Sequence, residues 1–176
     1  MQTDNECLTL KELSDALCKH IFRGLMNKHI VFDCDGTLVD TSQLKYVLYP
    51  GINELLLGLS TDCHLYVWTA RDKKSTLRIL KELGVLQYFT SVCTIDDALP
   101  KPNPHGLEEL LGKGQTHKAC VIGDTSNDIL GAKNFGVPSI GATWNTSANA
   151  EILRLSGAEF VTSSPLSCLE WINNNL

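Results

Sequence analysis

Asp33 and Asp35 stand two positions apart, after the apolar run Ile30-Val31-Phe32 and before a break at Gly36-Thr37. A short β-rich run that ends in acids and a glycine turn reads as a buried strand releasing carboxylates into a loop. Two carboxylates that close repel each other unless a cation or a shared proton compensates. Further along, Thr69 and Asp124 fall at the ends of two other apolar runs, with Asp128 four positions after Asp124 and Lys101 across a turn from a third run. Three or four carboxylates need a hard cation, and oxygen-only ligands suit Mg2+. Lys101 and the Thr69 hydroxyl supply donors for an anion in the same place. A phosphoryl group held between Mg2+ and Lys101 is the simplest substrate that fits.

The elements that must carry these residues follow from periodicity. Strands are expected at residues 30–32, 64–69, 91–95, 118–123 and 138–141, with a possible sixth at 159–161. Between them, helices are expected behind Pro50-Gly51 and over 73–83, 107–111, 128–135, 148–155 and 166–172. Strands alternating with short helices describe repeated βαβ units. The strands are apolar on both faces, as a parallel sheet covered by helices requires. The fold class is therefore α/β: a doubly wound, Rossmann-like central parallel sheet of five or six strands flanked by helices. In such a sheet the ligand crevice lies beyond the carboxyl ends of the strands, near a topological switch point. The acids of distant strands would meet there.

At 176 residues the chain reads as one domain with a short extension. Thr9-Leu-Lys-Glu12 fits a capping box, and Leu10, Leu13, Leu17, Ile21 and Leu25 follow at helical spacing. A helix over 9–26 is expected, within an extension (1–28) ahead of a core domain (29–176). Its apolar stripe packs on the domain in one reading; in another it binds a partner or makes a homo-oligomer. A net charge of −5 with scattered basic residues argues against a nucleic-acid surface. Seven cysteines without a C-x-x-C pair read as buried thiols in a reducing compartment. No basic leader or membrane-length apolar stretch is seen, so the expectation is a cytoplasmic protein with no membrane partner.

The motifs Asp33-Cys-Asp-Gly-Thr, strand-terminal Thr69, Lys101-Pro and Gly-Asp124-Thr-Ser-Asn-Asp128, in this order, resemble the four motifs of the haloacid dehalogenase superfamily of phosphohydrolases. Lys101-Pro-Asn-Pro-His-Gly-Leu and Val121-Ile-Gly-Asp-Thr resemble its phosphoglycolate phosphatase-like branch most. The resemblance runs from about residue 29 to about 172. It implies that Asp33 is the nucleophile and Asp35 the general acid and later base. It implies that Thr69, with the backbone N–H groups of Ala70 and Gly36, cradles the phosphoryl oxygens, and that Lys101 pins the nucleophile. Mg2+ would take Asp33, the backbone carbonyl of Asp35 and Asp124, with Asp128 acting through water or as a support. The implied activity is a Mg2+-dependent phosphomonoesterase acting on a phosphorylated substrate. The alternatives are a phosphotransferase or mutase of the same superfamily, and a silent phosphate-binding scaffold.

Several residues carry a plainer reading. Asp124 and Asp128 could cap the helix that follows them. Arg71 could reach the substrate or be solvated. Cys34 should turn to the face opposite its neighbouring aspartates, and Trp68, Trp144 and Trp171 read as packing. Members of the resembled branch usually carry a helical cap domain between the first two motifs. Here only residues 39–49 remain there once a helix and a strand are placed, enough for a flap. The expectation is a capless, open site, suited to a bulky phosphorylated molecule or covered by a subunit or the N-terminal helix. Small phosphometabolites stay open as substrates, and the sequence does not choose among these.

Overall fold

The structure is a computed structural model and describes residues 28–114 and 118–176. The helix expected over 9–26, with Cys7 and Cys18, lies outside the described residues. Strands β1 (Lys28–Phe32), β4 (Cys63–Trp68), β5 (Phe89–Cys93), β6 (Ala119–Gly123), β7 (Ser139–Ala142) and β8 (Phe160–Thr162) form one sheet. Its order is β5-β4-β1-β6-β7-β8, and every pairing is parallel. The chain builds outward from β1 on one side and then crosses to β6 on the other, so the switch point lies between β1 and β6.

Six helices flank the sheet among the described residues: α1 (Ile52–Leu59), α2 (Lys73–Glu82), α3 (His105–Leu111), α4 (Ser126–Phe135), α5 (Ala150–Ser156) and α6 (Pro165–Asn175). Strand β1 shows why both faces are covered. Ile30 and Phe32 enter one core with Leu55 and Leu56 of α1, Ile79 and Leu80 of α2, and Ile172 of α6. Val31 points the other way, into a second core with Trp68, Leu107 of α3 and Ala132 of α4. Alternation along a strand puts neighbours on opposite faces, and here both faces are dry. Among the described residues no helix is long and apolar enough to cross a membrane. Cys34, Cys63, Cys93, Cys120 and Cys168 are buried free thiols.

Element boundaries move where side chains compete for the backbone. The third core strand ends at Cys93 rather than near 95, because Asp97 Oδ2 accepts from the Thr94 N–H (3.0 Å) and hydroxyl (2.7 Å) and bends the chain. Helix α4 begins at Ser126, two residues ahead of expectation, because Thr125 and Asp128 form a capping box. Residues 39–49 contain a small antiparallel hairpin, β2 (Val39–Asp40) with β3 (Val47–Leu48). From Asp33 to Lys101 the chain adds this hairpin, α1, β4, α2, a 3₁₀ turn (Leu86–Tyr88) and β5, and no cap domain.

Candidate active site

Asp33, Thr69 and Asp124 each follow the last residue of a strand, and those strands are neighbours. Phe32 pairs with Val67 on one side and Ile122 on the other, so the three strands end within one residue of one another. The Asp33 N–H donates to the Ile122 carbonyl (2.8 Å) and the Thr69 N–H to the Cys93 carbonyl (3.0 Å), which extends the ladders by one residue. Asp33 and Thr69 are thus buried at the rim of the sheet, with side chains directed by strand geometry rather than by a mobile loop. A cleft of about 280 Å³ lies there, lined by Asp33, Asp35, Thr69, Ala70, Lys101 and Asp128 among others.

Lys101 reaches this rim from the loop after β5. Its ammonium donates to Asp33 Oδ1 and Asp128 Oδ1, each at 2.6 Å, and lies 4.7 Å from the centre of the Trp68 ring. Burial alone would lower the Lys101 pKa, but Asp128 and Asp33 outweigh it and hold the group well above the ordinary lysine range. Burial raises the Asp33 carboxyl against the opposing pull of Lys101, with Asp128 and Asp124 adding to the rise. Asp124 is also raised, first by burial and then by Asp128. Carboxylates held above their usual range by burial and by one another form a site where added positive charge is favourable.

A divalent cation fits that description. Asp33, Asp124 and Asp128 each bring a carboxylate oxygen within 4.8 Å of the others. An oxygen-only donor set of this kind suits Mg2+ better than a thiophilic metal. Asp124 is oriented by the Thr37 hydroxyl on Oδ1 (3.3 Å) and the Asn145 amide on Oδ2 (2.9 Å). Trp144 donates its ring N–H to the Thr37 carbonyl (2.8 Å), tying the loop after β7 to the loop after β1. Sequence reasoning placed Thr37 in the first motif without a role of its own, read Trp144 as packing and missed Asn145. The available signal was position: polar residues after β7 share the rim used by the residues after β1 and β6.

Other expectations are refined. Asp128 caps the helix as one reading expected and also pairs with Lys101: Oδ2 accepts from the Thr125 N–H (3.0 Å) and hydroxyl (2.6 Å), while Oδ1 accepts from Lys101. The Gly36 N–H donates to the Val39 carbonyl (2.9 Å), so it closes the turn and is not aimed at the cleft. What Gly36 contributes is space and a φ of +87°, since a Cβ there would overlap the Asp124 carboxylate. The Asp35 side chain lies apart from the acidic triad and accepts from Arg71, at 2.7 Å from Nη2 and 3.0 Å from Nε. Arg71 is therefore paired with Asp35 rather than free in solvent, with its side chain partly exposed. Cys34 is buried in the core opposite, and burial followed by the charges of Asp35 and Asp33 pushes its thiol pKa far up. It is not a nucleophile.

Residues 43–142 match the family model described as haloacid dehalogenase-like hydrolase. The chain belongs to that family. Haloacid dehalogenase-like relatives include a phosphoglycolate phosphatase of Vibrio parahaemolyticus, 35% identical over 128 residues, which are 70% of this chain and 55% of the relative. The phosphoglycolate phosphatase of Agrobacterium fabrum is 36% identical over 100 residues, 54% of this chain and 43% of that one. The chain thus spans about half the length of the curated relatives it matches. A haloacid dehalogenase-like hydrolase from Streptococcus pneumoniae shares the fold, with a TM-score of 0.72, 21% identity, and coverage of 82% of this chain and 97% of that one.

Proposed function

We propose that this haloacid dehalogenase-like protein is a Mg2+-dependent phosphomonoesterase that works through an aspartyl-phosphate on Asp33. The observation that carries the reading is the convergence on one cleft of Asp33, Lys101 and Asp128, linked by 2.6 Å contacts, with Asp35 lining the same cleft two residues on. Relatives named phosphoglycolate phosphatase support the reaction class.

In the proposed first step an Asp33 oxygen attacks phosphorus and the bond from phosphorus to the ester oxygen breaks. Asp35 gives its proton to the departing oxygen, and the phosphoryl group stays on Asp33. In the second step Asp35, now a carboxylate, takes a proton from water as that water attacks phosphorus. The bond to Asp33 breaks and inorganic phosphate leaves. Lys101 keeps the Asp33 carboxylate in one orientation and offsets negative charge gathering beside it. The Thr69 hydroxyl and the Ala70 N–H face the phosphoryl oxygens in this reading. Asp33, Asp124 and the Asp35 carbonyl would hold Mg2+, with Asp128 supporting the set through Lys101. When bound, the cation supplies positive charge against the phosphoryl oxygens.

The experiment is turnover of an aryl phosphate by purified protein, with and without Mg2+, beside Asp33→Asn. Hydrolysis should require Mg2+ and vanish in the variant. A wild-type protein that is folded, stabilised by Mg2+, and inert on a broad panel of phosphate esters ends the reading.

A further inference from the structure

Arg71 has no role in the scheme above, yet it makes the most specific polar contact at the mouth of the cleft. Its Nε lies 3.2 Å from Asp35 Oδ1 and 3.0 Å from Oδ2, and its Nη2 lies 2.7 Å from Oδ1. A planar guanidinium gripping both oxygens fixes the orientation of the carboxyl plane as well as its position, which a lysine ammonium cannot do. We infer that Arg71 is a positioning residue for Asp35, and that Tyr46 of the β2–β3 hairpin braces it. This rests on the phosphomonoesterase reading of the site.

Arg71 is itself held at three points. Its N–H donates to Thr69 Oγ1 (3.2 Å), and its carbonyl accepts from the Ile95 N–H (3.3 Å). Its guanidinium carbon lies 5.3 Å from the centre of the Tyr46 ring, within cation–π range. A residue anchored to Thr69 and the hairpin, and gripping Asp35, ties three parts of the cleft together. Stability does not explain the pair. The Arg71 and Asp35 side chains are 22% and 31% exposed, and ion pairs open to solvent contribute little to folding.

Asp35 also remains usable while gripped. A carboxyl group offers about four lone-pair sites; Arg71 faces one edge, and the proton that Asp35 gives up in the first step sits on the other. Asp35 still lines the cleft. A general acid must sit within hydrogen-bond reach of the oxygen it protonates, and an unbraced aspartate at a cleft mouth would divide its time among rotamers. Lys101 cannot take over the task, since Asp33 and Asp128 already occupy it.

The test uses leaving groups of different quality. An alkyl phosphate needs a proton on its departing oxygen far more than a nitrophenyl phosphate does. In Arg71→Gln, kcat/KM for the alkyl ester should fall at least about tenfold further than for the nitrophenyl ester, a fraction of what a general acid contributes. Arg71→Lys keeps the charge and loses the two-point grip, so it should shift the ratio in the same direction. In an Asp35→Asn background, Arg71→Gln should leave the ratio where Asp35→Asn set it. Melting curves establish that each variant is folded, and Arg71→Lys carries the test if the glutamine variant is not. Equal losses on both esters, or a full ratio change without Asp35, overturn the inference. Wild-type turnover of the nitrophenyl ester is measured first, so failure of the parent reading is seen separately.

Discussion

The Lys101 ammonium lies 2.6 Å from an oxygen of Asp33, with the two side chains only 7% and 10% exposed. The same ammonium is 2.6 Å from Asp128, which is 1% exposed. One buried cation thus joins the loop after β5 to the end of β1 and the first turn of α4. Removing such a cation leaves two carboxylates in a poorly solvated place, whereas the intact group offsets most of its own desolvation.

Lys101→Met keeps the length of the side chain and deletes the charge. In the absence of divalent cations it should lower the unfolding free energy by about 3 kcal/mol, the scale for stripping one partner from a buried ion pair. Urea unfolding monitored by circular dichroism measures this. An unchanged midpoint would mean that the two carboxylates are not dependent on Lys101.

Mg2+ should raise the melting temperature of the wild-type protein, because a ligand that binds only the folded state stabilises it. The gain is about 2.7 kcal/mol when the free ion is at one hundred times its Kd. Asp124→Asn should remove most of that rise. Thr37 and Asn145 already orient the Asp124 carboxylate, so its contribution to cation binding needs little reorganisation. A calorimetric scan with EDTA and then with Mg2+ compares the two proteins. Equal rises would place the cation elsewhere.

Asp128→Asn should behave differently from Asp124→Asn, because it destabilises even without Mg2+. Both Asp128 oxygens accept, one from Lys101 and the other from Thr125 at the start of α4. An amide has one acceptor and one donor end, so one of these contacts becomes donor against donor. A loss of about 1–2 kcal/mol is expected, the scale of a helix cap. Urea titration in EDTA should rank Asp128→Asn below Asp124→Asn, and the reverse order would count against the capping role.

These residues also mark where sequence reading stops. The alternation of apolar strands with capped helices suffices for the parallel sheet, and Asp33, Thr69 and Asp124 had to share a rim once their strands were neighbours. The partner of Arg71 was not legible, since a guanidinium's choice between solvent and a carboxylate across the cleft depends on tertiary placement. Trp144 and Asn145 carry no motif, and only their strand end reveals them. The β2–β3 hairpin has two residues per strand, too few for a period of two to show. The family resemblance implies Gly36 as a phosphate donor, but its N–H is taken by the Val39 carbonyl.

At the opposite end of the sheet, His29 stacks between His64, at 5.4 Å, and Tyr66, at 5.8 Å between ring centres. Burial, then the neighbouring His64, lowers the His29 pKa below its ordinary 6.5. The unfolded chain therefore binds this proton more readily than the folded one, and stability present above pH 6.5 is lost as the pH falls through the lowered value. Between pH 7 and 5 this loss opposes a gain from Asp33 and Asp124, whose raised carboxyls bind protons more readily in the folded state. His29→Phe keeps an aromatic ring there and removes only the loss, so the wild-type melting temperature should fall relative to the variant from pH 7 to 5, as melting curves across that range would record. Parallel curves for the two proteins would sink the assignment to His29.

Gly131→Ala reverses a familiar expectation. In a helix interior alanine is favoured over glycine by about 1 kcal/mol, and Gly131 lies within α4. Yet a Cβ at Gly131 would overlap the six-membered ring of Trp68, and one at Gly106 of α3 would overlap the indole nitrogen. The Trp68 ring thus fills a slot between two glycines, and its face lies beneath the Lys101 ammonium. Overpacking a tight core position costs about 1–3 kcal/mol, so Gly131→Ala should destabilise on balance and shift Lys101 with the ring. Combining it with Trp68→Phe should recover part of the loss, because the smaller ring vacates the space that the new methyl needs. Urea unfolding of the two single variants and the double reads the coupling, and simple additivity would mean that Trp68 and Gly131 do not share one tight slot.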